Sequence, residues 1–233
     1  MRLLDLIWED PHGLAVNKPA GLLTQRSQAG GDEPTLEGLI RQHLRPDDPA
    51  SAYLGTVHRL DKPVSGVILW AKTPKAASRW SRQFAGRQAR KEYWAIVETD
   101  VSEVSDQVAL WDDYLLAPDR SGQSRVVASG TPGAVRAITR VEAGDPGRVS
   151  PMGGQFAWLK LRPETGRTHQ LRAQAAERGW PIVGDATYGA RNPFESGIAL
   201  HAKTLVIEHP ARREPMTLEA PLPPSWSRWR IEA

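Results

Sequence analysis

The 233-residue chain contains no cysteine. Disulfides, thiolate catalysis, zinc–thiolate sites and iron–sulfur clusters are therefore excluded, and any chemistry has to use oxygen and nitrogen side chains. There is no apolar run of ~18 residues or more, the length a membrane-spanning helix needs, and the start, "MRLLDLIWEDPHG", turns acidic too early for a signal peptide. The expectation is a soluble, cytoplasmic protein with no membrane association. Also missing are the glycine loop of the phosphate-binding NTPases, the dinucleotide glycine fingerprint, the nucleophile elbow, and any internal repeat or low-complexity segment.

What is present is a globular composition, 40% apolar and 24% charged, with enough chain to build a real core. Residues 1–233 are expected to form one domain, near the upper size for a single compact unit. The formal charge is only +3, but the isoelectric point is near 9.3 and the cations are grouped. Arg79, Arg82, Arg87, Arg90 and Lys91 form one cluster, and the pairs Arg167/Arg172 and Arg212/Arg213 follow. Nine tryptophans interleaved with arginine suit nucleic-acid binding, although most of them belong in a core.

Patterning predicts an opening hairpin, "LLDLIWED" and "LAVNKPAG" joined by "DPHG". A short helix over "TLEGLIRQHL" follows, capped by Thr35. "GVILWAK" reads as a buried strand. Thr73 and Pro74 then supply an N-cap and a first-turn proline for a helix ended by Gly86. "KEYWAIVE" is a further strand, residues 104–163 are mainly β, and "PETGRTHQLRAQAAERG" is a helix started at Thr168 or its neighbours and ended by Gly179. "IALHAKTLVIEHP" is a late strand. Strands outnumber helices without a regular βαβ rhythm, so the expectation is an α+β fold on a mixed, largely antiparallel sheet.

The polar residues suited to chemistry fall in four blocks: His58, Arg59 and Asp61; Lys91 and Tyr93; Arg167, His169, Gln170 and Arg172; Asp185 and Tyr188. Asp61 alone, at the start of an apolar strand, reads as a turn or cap residue. Taken together, "NKPAG" (17–21), "HRLDKPVSGVILWAK" (58–72), "KEYWAIV" (91–97), "LRPETGRTHQLR" (161–172) and "GDATYG" (184–189) change that reading. This ordered set resembles the RluA family of pseudouridine synthases over residues from about 14 to 205. The resemblance implies a catalytic fold with a central mixed sheet and a cleft, conversion of uridine to pseudouridine in structured RNA such as a stem-loop of ribosomal or transfer RNA, and neither a cofactor nor a metal. It indicates no obligatory protein partner.

The resemblance also implies roles. Asp61 is the catalytic carboxylate, Tyr93 stacks on the target base and assists proton removal, and Arg59 fills the gap left when the nucleotide leaves its helix. Lys91 orients its strand or contacts phosphate, His58 braces the loop, and Arg167, His169 and Gln170 serve the RNA. The chemistry is consistent with this. Isomerising uridine breaks the C1′–N1 bond, turns the base and forms a C1′–C5 bond, with no atoms gained or lost. A carboxylate can attack C1′ or abstract a neighbouring proton to give a glycal. It has to stay ionised, which a nearby cation favours; Arg172 is the candidate, one turn beyond Thr168 and on a face with His169.

Two positions depart from the family pattern: Val64 stands where a threonine is usual, and Gln174 where many members have histidine. The chain also starts directly at the catalytic domain, so a member without an N-terminal S4 module is expected. Two other readings compete. One is a metal-dependent hydrolase with His58, Asp61, His169, Asp185 and His201 as ligands; the other is a non-catalytic RNA-binding protein that keeps the fold.

Overall fold

The computed structural model describes residues 4–26, 33–99, 109–143, 156–229 and 231. In chain order the elements are β1 (Leu6–Glu9), β2 (Gly13–Lys18), α1 (Leu36–Leu44), β3 (Gly55–Thr56), β4 (Ser65–Ala71), α2 (Pro74–Ala85), β5 (Arg90–Glu98), β6 (Ala109–Leu116), β7 (Arg125–Val127), β8 (Val135–Ala143), β9 (Phe156–Pro163), α3 (Gln170–Glu177), β10 (Leu200–Glu208) and β11 (Pro215–Glu219). The chain divides into two compact units, Met1–Arg90 with Ala202–Pro221, and Lys91–His201 with Leu222–Ala233.

In the first unit, Asp10 closes the β1–β2 hairpin by accepting the amides of His12 and Gly13 at 2.7 and 3.1 Å. β2 then pairs antiparallel with β4 from Gly13↔Ala71 to Lys18↔Gly66. All seven residues of β4 are buried, as expected of a continuous apolar run covered on both faces. Thr35 caps α1 through the Gly38 amide (3.1 Å) and Thr73 caps α2 through the Ala76 amide (3.2 Å), with Pro74 at the first helical position. Gly86 receives the end of α2, and Arg87 after it takes the left-handed conformation at φ 56°.

β10 lies beside β4 and pairs antiparallel with β11. The β4–β10 contact has the parallel sense. Gly66, at the start of β4, sits on Ala202 near the start of β10, while the carbonyl of Glu208 at the other end accepts from Trp80 of α2, the helix that follows β4. The approach at Gly66 is close. Its φ is +118°, and an added Cβ would lie 2.3 Å from the Ala202 carbonyl oxygen, so only glycine fits.

The second unit is an antiparallel array in which β9 pairs with β5 and β8, and β6 with β8 and β7. The α+β class and the mixed, mainly antiparallel strand pairing agree with the sequence reading. Of the predicted middle region, residues 104–108 and 144–155 lie outside the described residues. α3 opens at Gln170 with His169, the neighbour of Thr168, as its cap residue at φ 53° and no side-chain cap, in agreement with the expected start at Thr168 or its neighbours. Seven of the nine tryptophans are buried, among them Trp94 against Trp158 (4.8 Å) and Trp229 against Phe156 (5.2 Å). They are core, not a stacking platform. Among the described residues no helix is long and apolar enough to cross a membrane.

Gly66→Ala is expected to destabilise the protein by more than ~1 kcal/mol, because both the positive φ and the backbone contact oppose a side chain. Denaturant unfolding measures it; a variant as stable as the parent would show that β4 and β10 can separate at this point.

Candidate active site

In the first unit the loop between β3 and β4 carries His58, Arg59 and Asp61, and it is tied down before and after the aspartate. Thr24, itself buried, donates its hydroxyl to the Leu60 carbonyl at 2.7 Å and receives the Leu60 amide at 3.4 Å. After the aspartate, the Lys62 carbonyl accepts from the Gly21 amide (2.8 Å) and from Lys18 Nζ (3.2 Å), and the Asp61 carbonyl accepts from the Val64 amide (3.1 Å). His58 Nε2 accepts the Leu69 amide at 2.9 Å, and its ring stacks on Phe84 at 4.7 Å. These two contacts tie His58 to β4 and α2. Arg59 is exposed and Asp61 half-buried. Val64 is 3% exposed, so an apolar side chain is buried where the resemblance implied a threonine hydroxyl.

Lys18 was legible only as part of "NKPAG". It is fully buried, and Nζ donates to the carbonyls of Pro19 (3.0 Å), Leu22 (2.8 Å) and Lys62 (3.2 Å). Burial pushes it down to about 7, and the Asp61 carboxylate pulls in the opposite direction. Three carbonyl acceptors require three N–H donors, which only the ammonium has. The loop thus has a buried cation acting on Asp61, one to which the sequence reading gave no role.

In the second unit Lys91 and Tyr93 share a face of β5, and Tyr93 is opposite Leu161 in the register with β9. A Cβ at Gly166 would come within 3.7 Å of Lys91 Nζ, which sets the lysine against the loop that leads into α3. Burial lowers its pKa from the ordinary lysine value. Arg172 is 5% exposed and Asp185 1% exposed. Arg172 Nε and Nη2 donate to the two Asp185 oxygens at 2.6 and 2.9 Å, and the Tyr188 ring lies 4.9 Å from the guanidinium carbon. His169 Nδ1 is 3.1 Å from the Tyr188 hydroxyl, which also receives the Ser124 amide at 2.9 Å, and Ser124 Oγ donates to the Thr168 carbonyl at 2.8 Å. "GRTHQLR" and "GDATYG", separate in sequence, are one bonded assembly.

Gln170 is corrected. Expected among RNA contacts, it is 4% exposed; its oxygen accepts from Thr165 (2.7 Å) and the Arg167 amide (3.0 Å), and its nitrogen donates to the Ile138 carbonyl (3.1 Å) and Thr139 (3.0 Å). With its amide bonded inward on both sides it shapes the loop. Thr139 continues the chain to Gln174 (2.7 Å), which is fully buried and donates to Asp113 (2.7 Å). Gln174 thus has a polar, bonded role at the position where the resemblance implied a histidine in many members. Arg167 is exposed, with Nε donating to the Arg136 carbonyl (3.1 Å). Among the described residues no group of three or more histidines or carboxylates is placed to hold a metal, and the proposed ligands His169 and Asp185 are already bonded as above.

A family model described as RNA pseudouridylate synthase matches residues 12–177, a span that runs through both units. The chain belongs to the RluA-type pseudouridine synthases. It is 34% identical over 234 residues to the tRNA pseudouridine synthase C of Yersinia pestis, covering 96% of this chain and 88% of the relative. It is also 32% identical over 220 residues to an uncharacterized RNA pseudouridine synthase of Bacillus subtilis, YhcT, covering 94% and 69%. In fold it is similar to human RNA pseudouridylate synthase domain containing 1, with a TM-score of 0.75 at 24% identity over 97% of this chain and 86% of that one. This pseudouridine synthase isomerises uridine in RNA, and the non-catalytic reading is set aside.

Two consequences can be measured. Asp185→Asn removes one partner of a buried ion pair and leaves the Arg172 charge uncompensated, with an expected loss of about 3 kcal/mol or more; an unfolding free energy unchanged by the substitution would mean that Arg172 does not depend on it. Lys18 makes stability pH-dependent. Between about pH 7 and 10.5 the unfolded chain keeps the proton that folded Lys18 gives up, so this group's unfavourable contribution is full below pH 7 and shrinks as pH rises through that window. Unfolding free energies for the parent should climb with pH relative to Lys18→Met, and parallel profiles would contradict the assignment.

Proposed function

We propose that this enzyme converts a uridine in a stem-loop of transfer RNA to pseudouridine, with Asp61 as the carboxylate that attacks C1′ or abstracts the neighbouring proton. The observation that carries the reading is the Asp61 loop itself. It is bonded through Thr24 on one side and through Gly21 and Lys18 on the other, with a buried ammonium favouring the ionised carboxylate. A nucleophile held this way reaches the sugar without reorganising, which is where most of the advantage of a positioned group lies. The choice of transfer RNA rests on the relatives named tRNA pseudouridine synthase C, which match along 96% of the chain.

The other roles follow from the chemistry. C1′ and C5 are out of reach within a helical stack, so the uridine leaves it. Arg59, exposed two residues before Asp61, takes the vacated space, and Tyr93 stacks on the base. Arg172, fixed by Asp185 and Tyr188, supplies a second positive charge to the reaction. Lys91, Arg167 and His169 serve the RNA backbone. The isomerisation is internally balanced and draws on no cofactor. Residues 1–233 act as one catalytic domain, at work in the cytoplasm and without an obligatory protein partner.

Asp61→Asn is expected to reduce turnover below about one per cent of the parent while RNA affinity stays within severalfold, since shape is kept and only the charged nucleophile is lost. Tritium release from labelled uridine in transfer RNA reads the first and filter binding the second; turnover above that level would remove Asp61 from its role. Mapping pseudouridines in cells with and without the gene tests the substrate, and a difference confined to ribosomal RNA would overturn the transfer-RNA assignment.

A further inference from the structure

A cavity of about 500 Å³ opens in the first unit, lined by α2, the Gln88–Arg90 segment and the β10–β11 turn. Four arginines, Arg79, Arg82, Arg90 and Arg213, face a single acidic residue, Glu208. The whole chain carries a formal charge of only +3, and this cavity by itself sets four cations against one carboxylate. Three of the cations come from the 79–91 cluster; the fold gathers them with Arg213, from a segment more than a hundred residues later.

The walls are built. Gln83 is 9% exposed and bonds both the amide (2.9 Å) and the carbonyl (3.1 Å) of Glu208, holding α2 to the end of β10. Arg79 donates to the Pro210 carbonyl. The turn is held by buried His209, whose Nδ1 accepts the amides of Ala211 (3.2 Å) and Arg212 (3.0 Å) while Nε2 meets Asp10 at 2.7 Å. Arg213 follows at φ 63°, a conformation a long side chain adopts only where its surroundings impose it, and reaches Glu208 at 3.4 Å. Arg82 and Arg90 are exposed, and among the described residues neither is paired with a carboxylate.

The position matters as much as the charge. Asp61 precedes the start of β4, whereas the cavity is at the end of β10 that corresponds to the end of β4. β4 is seven residues long, so roughly 20 Å of strand runs between its start beside Asp61 and its end beside the cavity. A uridine at Asp61 cannot also occupy the cavity, but a large folded RNA can. We propose that this cavity binds the phosphodiester backbone of the substrate RNA remote from the reacting uridine, with Arg82 and Arg90 as the phosphate-binding groups. The inference rests on the RNA-modifying activity and extends it to a second contact region. A free phosphate compound shares the same ligand chemistry and is separated from RNA by the test.

The experiment uses the full chain and unmodified total transfer RNA, comparing the parent, Arg82→Gln/Arg90→Gln, and Arg140→Gln/Arg162→Gln. The last pair removes equal charge from exposed arginines bound to carboxylates elsewhere. Affinity is measured against salt concentration. Each lost phosphate contact lowers the log–log slope by about one, so the cavity variant should lose about two and bind roughly tenfold more weakly at low salt, with the control pair near the parent. An unchanged slope, or an equal change in the control, overturns the proposal. Equilibrium dialysis with inorganic phosphate and uridine monophosphate supplies the other arm: loss of their binding with an unchanged RNA slope assigns the cavity to a free phosphate compound instead. Backbone contacts carry no sequence, so the slope change is expected whether or not this RNA is the one modified. Pseudouridine formation by the parent in the same preparation tests that separately.

Discussion

A lysine ammonium shut away from water has to find three acceptors, and in this synthase Lys18 finds them in the carbonyls of Pro19, Leu22 and Lys62. Two of those carbonyls lie in the turn that follows β2 and the third lies one residue after Asp61, so a single side chain sews that turn to the loop that carries the carboxylate. Leaving such a group unpaired costs several kcal/mol, and that cost is what makes the loop conformation obligatory. The same group provides positive charge to Asp61. The loop's conformation and the charge beside Asp61 therefore depend on one buried side chain.

The second unit repeats the strategy with a different pair. Arg172 is buried between Asp185 and the face of Tyr188, and the Tyr188 hydroxyl is in turn held at His169 and Ser124. Buried charges of this kind are weak evidence of stability but strong evidence of a required geometry. The guanidinium plane cannot rotate without breaking a bidentate ion pair. Gln170, Thr139 and Gln174 extend this order through a run of buried hydrogen bonds to Asp113 and Arg178. Each member is satisfied, the condition under which a buried polar network rigidifies rather than weakens a core.

Charge is distributed in the same economical way. A net +3 would give a weak overall field, and many of the arginines are balanced locally, as Arg136 is by Asp112 and Arg162 by Glu92 and Glu142. Around the cavity beside α2, by contrast, four arginines meet the single carboxylate of Glu208. For a protein whose substrate is a polyanion, such patterning lets affinity be set by a few contacts and keeps the remaining surface from binding nucleic acid indiscriminately.

Much of this was determined by sequence alone. Thr35 and Thr73 specify their caps, Pro74 starts α2, the apolar run of β4 requires burial on both faces, and the ordered blocks around Asp61, Tyr93 and Arg172 point to the reaction, because capping, periodicity and motif order are local properties. The roles of Lys18, Thr24, Asp185 and Gln170 were decided only by the tertiary structure. Whether a buried polar side chain touches substrate or braces a loop depends on which carbonyls and carboxylates the fold brings to it, and those partners are up to 44 residues away for Lys18, 36 for Thr24, 13 for Asp185 and 32 for Gln170. No local pattern encodes such a meeting; it exists once the strands have paired and water has been excluded.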